Sequence, residues 1–274
     1  MTIKIAAAQT FVTPDITENG HAIRRMLRVA SKENVRLVVF CEGALSGYSK
    51  AQITSPEDWR RFDWPLLEAE IDLIGHLCRD LGVYAVFGAA HPVSENKHPH
   101  NSLYVVSDRG EIAGRYDKRF LSNSEVGSWY TPGSDPLTVN IDGYRFGFAI
   151  CIEAAFPEVF SAYERLNVDA VLFASYGITP QFRLALQASA YTNCLWIAAA
   201  TPAQTAHKGP AFVCGPEGDL VAEAASGREE ALAIALLSKE DPAYEIALNK
   251  ARPWRRKARN GAIYDAKRAA DIDY

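Results

Sequence analysis

Short apolar runs with strand character alternate with stretches of helical spacing along the sequence, and this alternation limits the possible folds more than any other feature. Four stretches place apolar residues at three- and four-residue intervals, as one face of a helix requires; they cover residues 18–31, 66–81, 156–166 and 181–193. Eight runs have the composition of β-strands; they cover residues 3–9, 35–41, 83–90, 102–106, 111–116, 144–150, 170–174 and 195–200. The order predicts a mixed α/β fold.

Three turn signals join successive strands without an intervening helix. They lie at residues 107–110, 142–143 and 216–219 and contain the Gly, Asp, Ser and Pro residues that favour tight turns. Directly joined strands pair antiparallel, so part of the sheet structure is expected to consist of hairpins. A purely parallel, doubly wound sheet is therefore disfavoured. Two mixed sheets packed face to face, with helices outside, satisfy both patterns.

Composition favours one domain without a membrane segment. A chain of 274 residues with 48% hydrophobic residues can bury a large core, and α/β folds of this length often form one domain. No linker tract, repeat or low-complexity segment interrupts the sequence. The N-terminus enters a strand-like run directly, and no apolar run reaches the roughly 18–20 residues that span a bilayer. We therefore expect a cytoplasmic protein with no membrane partner.

Charge, cysteine and histidine content disfavour several other classes of protein. The net charge of -4 gives little attraction for nucleic acid, and the basic stretch at residues 250–259 is typical of a solvated or interface segment. The five cysteines lack paired spacing, which fits a reducing compartment. His91, His98 and His100 have no metal-ligand spacing, and no phosphate-binding or dinucleotide motif occurs. We expect no nucleic-acid partner and no metal.

Three residues suited to covalent acid–base chemistry each follow a strand-like run. Glu42 follows the run at 35–41, Lys118 follows the segment 111–117, and Cys151 follows the run at 144–150. A lone cysteine after a strand is usually part of the core. A thiol combined with a carboxylate and an ammonium, however, supplies a nucleophile, a proton carrier and a positive charge for an oxyanion. Four other cysteines are interpreted as structural: Cys41, Cys78, Cys194 and Cys214.

The segments around these residues carry a family resemblance. Residues 40–48, 115–121 and 150–158, in this order, resemble the catalytic segments of the nitrilase (carbon-nitrogen hydrolase) superfamily, and the resemblance runs from residues 3–9 to 209–218. It implies a four-layer αββα sandwich and an amidase-like, cofactor-independent enzyme. Such an enzyme hydrolyses a non-peptide carbon-nitrogen bond in a small linear amide through a cysteine thioester.

The resemblance also implies a role for each site residue. Cys151 would attack the carbonyl, Glu42 would carry the proton, and Lys118 with the backbone N–H of Ile152 would bind the oxyanion. Glu125 corresponds to a second glutamate that orients the lysine and the substrate. We expect three aromatic residues near the strand ends to line the substrate pocket, which are Tyr48, Tyr176 and Trp129.

Departures from the family pattern leave the substrate open. The segment after the nucleophile has Glu153 and Ala155 where many members have Asp and Arg, and Ile152 where many nitrile hydrolases have Trp. Amides or ureido compounds are therefore favoured over nitriles, with N-carbamoyl hydrolase, nitrilase or acyltransferase chemistry as alternatives. A catalytically inactive interaction protein is the non-enzyme alternative. The resemblance further implies a homodimer or higher homo-oligomer, with residues 250–274 as a tail at the subunit interface.

Overall fold

The structure is a computed structural model that describes residues 1–94, 97–265 and 267–268. It contains two six-stranded sheets. The first sheet has the order β12-β1-β2-β3-β4-β5 and is formed by β1 (Thr2–Gln9), β2 (Leu37–Val39), β3 (Tyr84–His91), β4 (His100–Val106), β5 (Ile112–Asp117) and β12 (Ala231–Ser238). The second has the order β11-β10-β9-β8-β7-β6 and is formed by β6 (Val139–Ile141), β7 (Tyr144–Ile150), β8 (Ala170–Ala174), β9 (Trp196–Ala200), β10 (Phe212–Cys214) and β11 (Leu220–Glu223).

Seven α-helices accompany the sheets in the described residues. They are α1 (Ile16–Lys32), α2 (Trp64–Leu81), α3 (Asn123–Ser128), α4 (Pro157–Arg165), α5 (Pro180–Asn193), α6 (Arg252–Arg259) and α7 (Ala262–Asp265). Short 3-10 helices occur at Pro56–Arg61, Cys151–Ala155, Ala203–Thr205 and Pro242–Tyr244, and a π-helical turn at Ala247–Ala251. None of these helices has the length and apolarity that crossing a bilayer requires.

Alternation of side chains along the strands builds the four layers. Ile5 of β1 and Phe148 of β7 belong to one buried cluster, so these faces of the two sheets pack against each other. The neighbouring residue of β1, Ala6, belongs to a second cluster with side chains of α1 and α2. Ala149 of β7 belongs to a third cluster with side chains of α4 and α5. Because successive strand residues point to opposite faces, each sheet is covered by its partner on one side and by helices on the other.

The predicted αββα sandwich and its hairpins are confirmed. The predicted turns at 107–110, 142–143 and 216–219 join β4 to β5, β6 to β7 and β10 to β11, and all three pairs are antiparallel. The predicted strand at 35–41 is regular only over Leu37–Val39. Its pairing with β3 continues irregularly, because Phe40 N donates to Val86 O at 2.7 Å and Gly88 N donates to Cys41 O at 3.1 Å.

The basic C-terminal segment contacts its own chain. In α6, Arg256 Nε lies 2.8 Å from Glu164 Oε1, and Arg259 Nη1 lies 3.1 Å from Glu164 Oε2. Arg252 donates to the carbonyl oxygen of Val168 at 2.6 Å. These contacts direct several of the cationic groups inward. Of the predicted interface tail 250–274, residues 266 and 269–274 lie outside the described residues, and its role at an interface stays a prediction.

Candidate active site

The ends of three strands bring Glu42, Lys118 and Cys151 to one region between the sheets. Lys118 directly follows β5, and Cys151 directly follows β7. Glu42 follows the irregular end of β2, where the loop packs closely on β3. A Cβ atom at Gly88 would lie 2.4 Å from Gly43 N and 2.5 Å from Cys41 O, so glycine is required there.

Lys118 is buried between two carboxylates. Its Nζ donates to Glu42 Oε1 at 3.0 Å and to Glu125 Oε1 and Oε2 at 2.7 and 3.0 Å. The side chains of Lys118 and Glu42 are fully buried, and that of Glu125 is nearly so. Burial lowers the pKa of Lys118, but the negative charges around it outweigh burial and hold its pKa above the usual value. The ammonium form is therefore maintained, as the sequence interpretation of Glu125 requires.

Glu125 is itself held in place by the start of α3. Ser122 caps this helix, and its backbone N–H donates to Glu125 Oε2 at 2.7 Å. Burial raises the pKa of Glu125, but Lys118 and the donors of Ser122 outweigh burial, so the pKa lies below its usual range. The cluster of Glu42, Glu125 and Lys118 thus contains two carboxylates and one ammonium.

Cys151 occupies a tight turn instead of the first turn of a long helix. Its φ angle is 52°, in the left-handed region that costs a non-glycine residue about 1–3 kcal/mol. Cys151 is the first residue of the short 3-10 helix Cys151–Ala155, and α4 begins only at Pro157. The turn leaves the residue Cys151 partly exposed at the end of β7, although its thiol is surrounded by protein.

The Cys151 thiol keeps its proton in the resting site. Burial and then the Glu42 carboxylate raise the pKa of the thiol to about 12, although Lys118 opposes this shift. Burial and the carboxylate together therefore favour the neutral thiol over a resting thiolate. Nucleophilic attack by Cys151 needs a base that removes the proton as the sulfur reacts.

Two further groups fix the Glu42 carboxylate. Asn101 Nδ2 donates to Glu42 Oε1 at 2.7 Å, and the backbone N–H of Tyr176 donates to Glu42 Oε2 at 3.1 Å. Asn101 lies at the start of β4 with no motif around it, so the sequence did not indicate this residue. Tyr176 was expected only as an aromatic residue of the pocket, whereas its backbone N–H also contacts the candidate base.

Tyr176 and Tyr48 form a stacked pair beside this carboxylate. Their ring centroids are 4.4 Å apart with an interplanar angle of 11°. Glu42 and then burial and Cys151 raise the pKa of Tyr48, which indicates that its hydroxyl lies in the field of the candidate site. Gln52 and Gln204 donate to the Tyr176 hydroxyl at 2.6 and 3.1 Å and anchor this ring.

Trp129 lies at the end of α3 in a hydrophobic cluster with Trp59 and Tyr130. Burial and then the Glu42 and Glu125 carboxylates raise the pKa of its neighbour Tyr130. The sequence predicts that Trp129 lines the substrate pocket, and this role stays a prediction. Tyr130 directly follows Trp129, so the same short aromatic segment also indicated Tyr130.

Glu153 connects the segment after β5 to the end of β7. Its carboxylate accepts hydrogen bonds from the backbone N–H of Ile150 at 2.7 Å, of Arg119 at 2.9 Å and of Phe120 at 3.1 Å. The Tyr116 hydroxyl also donates to it at 2.8 Å. This residue, which departs from the family pattern, therefore ties the segment that carries Lys118 to the turn that carries Cys151. Ile152 lies half-buried beside Cys151, and Ala155 is exposed.

The histidines near β3 and β4 belong to a separate hydrogen-bonded cluster. His91 Nδ1 lies 2.6 Å from the Tyr104 hydroxyl, its Nε2 lies 2.5 Å from Arg115 Nη1, and His100 Nδ1 lies 2.7 Å from Thr131 O. In the part of the chain that the structure describes, no group of three or more His, Cys, Asp or Glu side chains is arranged to hold a metal ion.

Comparisons with known proteins agree with this fold. The sequence model of the family described as carbon-nitrogen hydrolase matches residues 4–243. An N-carbamoylputrescine amidase of Solanum tuberosum is 25% identical over 259 residues, covering 85% of each chain. A formamidase of Helicobacter acinonychis is 27% identical over 191 residues, covering 66% of this chain and 55% of the relative.

A further relative and a solved structure extend the comparison. A glutamine-dependent NAD(+) synthetase of Aquifex aeolicus is 27% identical over 248 residues, which cover 84% of this chain but 41% of the synthetase. A nitrilase-superfamily amidase from Nesterenkonia AN1 superimposes with a TM-score of 0.76 at 20% identity and covers 92% of this chain and 97% of its own. At this identity the structural match establishes the shared fold.

Proposed function

The chain belongs to the carbon-nitrogen hydrolase family and is an amidase-type hydrolase, and on this premise we propose that it cleaves the C–N bond of a small linear amide through a thioester on Cys151. The observation that carries the proposal is the convergence of three strand ends, which puts Glu42 and Lys118 in direct contact and in the electrostatic field of Cys151. No cofactor takes part in the proposed reaction.

In the first half of the reaction, the Cys151 sulfur attacks the amide carbonyl while Glu42 removes the thiol proton. Coupling the two events suits a thiol whose pKa is raised to about 12, because no free thiolate has to form first. Lys118 and the backbone N–H of Ile152 stabilise the negative oxygen of the tetrahedral intermediate. The intermediate then collapses as Glu42 passes the proton to the leaving nitrogen, so that ammonia departs and the acyl group stays on sulfur.

In the second half, water hydrolyses the thioester. Glu42 accepts a proton from the attacking water, the same oxyanion donors act again, and the proton returns to the sulfur as the carboxylic acid leaves. Glu125 contributes by keeping Lys118 oriented and charged. Tyr48, Tyr176 and Trp129 are proposed to bind the acyl portion of the substrate.

A panel of short amides tests this function. Purified protein should release equal amounts of ammonia and carboxylic acid from at least one amide, and Cys151→Ala should abolish the release. Cys78→Ala serves as a matched control, because Cys78 is a buried thiol of α2 that should have no part in catalysis. Turnover that survives in Cys151→Ala would reject the proposal.

A ureido substrate is the second candidate, since one relative is an N-carbamoylputrescine amidase. The same attack on a carbamoyl carbon would release carbon dioxide together with ammonia and an amine. Measuring carbon dioxide alongside ammonia therefore separates the two substrate classes. An acceptor such as hydroxylamine in the assay would reveal acyl transfer as a further fate of the same thioester.

We also propose that the chain forms one catalytic domain and assembles as a homodimer. Exposed apolar side chains of α5 and α6 support a subunit contact, namely Leu184, Tyr191 and Trp254. A sedimentation experiment on wild type and Leu184→Glu would test this surface, and a monomeric wild type would contradict it. All five cysteines are free thiols, which supports a cytoplasmic location.

A further inference from the structure

The two oxygens of Glu42 have different hydrogen-bond partners. Oε1 accepts from Lys118 Nζ at 3.0 Å and from Asn101 Nδ2 at 2.7 Å, whereas Oε2 accepts from the backbone N–H of Tyr176 at 3.1 Å. A carboxylate oxygen has two lone-pair sites. Oε1 is therefore fully used, and Oε2 retains one site that can receive a proton.

The orientation of the Asn101 amide follows from its surroundings. Nδ2 lies 2.7 Å from Glu42 Oε1 and 3.5 Å from Glu125 Oε1. If the amide were flipped, its oxygen would face two carboxylate oxygens, which is unfavourable for acceptors without a donor between them. The residue is buried, and its own carbonyl oxygen accepts a hydrogen bond at 2.9 Å from the Lys118 backbone N–H. Asn101 is thus fixed against both the base and the lysine.

We propose that Asn101 is a positioning residue that, together with Lys118, occupies Oε1 of Glu42 and thereby makes Oε2 the atom that exchanges a proton with Cys151. The proposal rests on the function proposed above and adds an atomic assignment to it. Asn101 acts through Glu42, so its loss should lower kcat and leave KM within about twofold of the wild-type value. A substrate contact would instead change KM.

The neutral amide matters because the cluster already holds two carboxylates and one ammonium. A carboxyl group in place of the amide can donate to Oε1 only while it is protonated. When it ionises, it repels Glu42 and Glu125 and competes with them for Lys118. Asn101→Asp therefore converts a pH-independent donor into a pH-dependent one, while the size of the side chain stays almost the same.

The test compares Asn101→Asp and Asn101→Leu with wild type over pH 5 to 8.5. Asn101→Leu removes the donor at every pH and should lower kcat by about 10- to 100-fold, the range for a hydrogen bond to a charged group. Asn101→Asp should stay within about tenfold of wild type near pH 5 and lose a further tenfold or more by pH 8. A role limited to folding would not make the loss in Asn101→Asp depend on pH in this direction.

Ser102→Ala provides the matched control. Ser102 is the next residue of β4, is buried, and donates to a different carboxylate, Asp117 Oδ1, at 2.6 Å. The variant loses a part-buried hydrogen bond to a carboxylate on the opposite face of the strand. Its kcat and pH profile should match those of wild type.

The rate at which a short 2-haloacetamide alkylates Cys151 tests the role of Asn101 independently of the proposed function. This reaction needs proton removal from the thiol but no amide hydrolysis, so it reports on Glu42 even if no amide substrate is found. The rate should fall in Asn101→Leu and should fall with rising pH in Asn101→Asp, relative to wild type. Wild-type rates and profiles in both variants would overturn the inference, whereas lack of amide turnover by wild type would reject only the proposed function.

Discussion

Replacing Lys118 by Met should make the stability of the protein depend steeply on pH. The substitution keeps an apolar chain of similar length but leaves Glu42 and Glu125 buried without the ammonium that now lies 3.0 and 2.7 Å from them. Two buried carboxylates that face each other cannot both remain ionised, so the folded variant should bind one proton. The unfolded chain binds that proton only below the ordinary glutamate pKa of about 4.3.

The size of the effect follows from this proton. Protonating one carboxyl costs about 1.4 kcal/mol for each pH unit above 4.3, which is about 4 kcal/mol at pH 7 and about 1 kcal/mol at pH 5. The first figure agrees with the 3–5 kcal/mol typical of removing one partner from a buried ion pair. Because the folded variant binds more protons than the unfolded chain, its free energy of unfolding should fall as pH rises.

Urea unfolding at pH 5 and pH 7 measures the difference, with Lys239→Met as the control. Lys239 is a partly exposed lysine whose Nζ lies 2.8 Å from Asp169 Oδ2. Its replacement should cost about 1 kcal/mol or less, with little change between the two pH values. If Lys118→Met lost the same free energy at both pH values, or as little as Lys239→Met, the buried charge cluster could not have the arrangement described.

Other contacts give further expectations. Burial and Arg115 lower the pKa of His91 to about 4, against about 6.5 in the unfolded chain, so wild type should lose at most about 3 kcal/mol as pH falls from 6.5 to 4, and less to the extent that solvent screens the half-buried ring; His91→Gln should reduce this loss in urea unfolding. Glu153→Gln places an amide N–H against backbone donors and should cost about 2–3 kcal/mol, measured by thermal unfolding; an unchanged Tm would contradict the bridging role. Arg256→Ala removes one of the ion pairs between α6 and buried Glu164 and should speed proteolytic cleavage within α6. An unchanged cleavage rate would contradict the role of this ion pair in holding α6.

The site residues that can be predicted from the sequence are those that directly follow strand-like segments. Cys151 follows an apolar run that becomes β7, whose two faces are buried, and Lys118 follows the mixed segment that becomes the edge strand β5. Once the strands pair, their ends meet at one edge, so the candidate residues could be named without coordinates. The family resemblance supplied their roles and the layer order.

The missed part depends on contacts between distant segments. Asn101 has no local feature that distinguishes it from any other polar residue at a strand end, and its partner Glu42 lies 59 positions away. The left-handed φ angle of Cys151 could not be predicted from the sequence either, because most non-glycine residues avoid that region unless the surrounding structure imposes it. In the sequence Glu153 is only a departure from the family pattern, yet its carboxylate accepts hydrogen bonds from several backbone N–H donors and so ties two segments together.

Mass spectrometry tests the proposed acyl group on the sulfur of Cys151 directly. Wild-type protein mixed with a turned-over amide and quenched in acid within milliseconds should carry an added mass equal to the amide minus ammonia, on the peptide that contains Cys151. Glu42→Gln should carry less of it, because both proton transfers need the carboxylate. Ammonia release with no such adduct, or an adduct on Cys41 with Cys151 unmodified, would contradict the account.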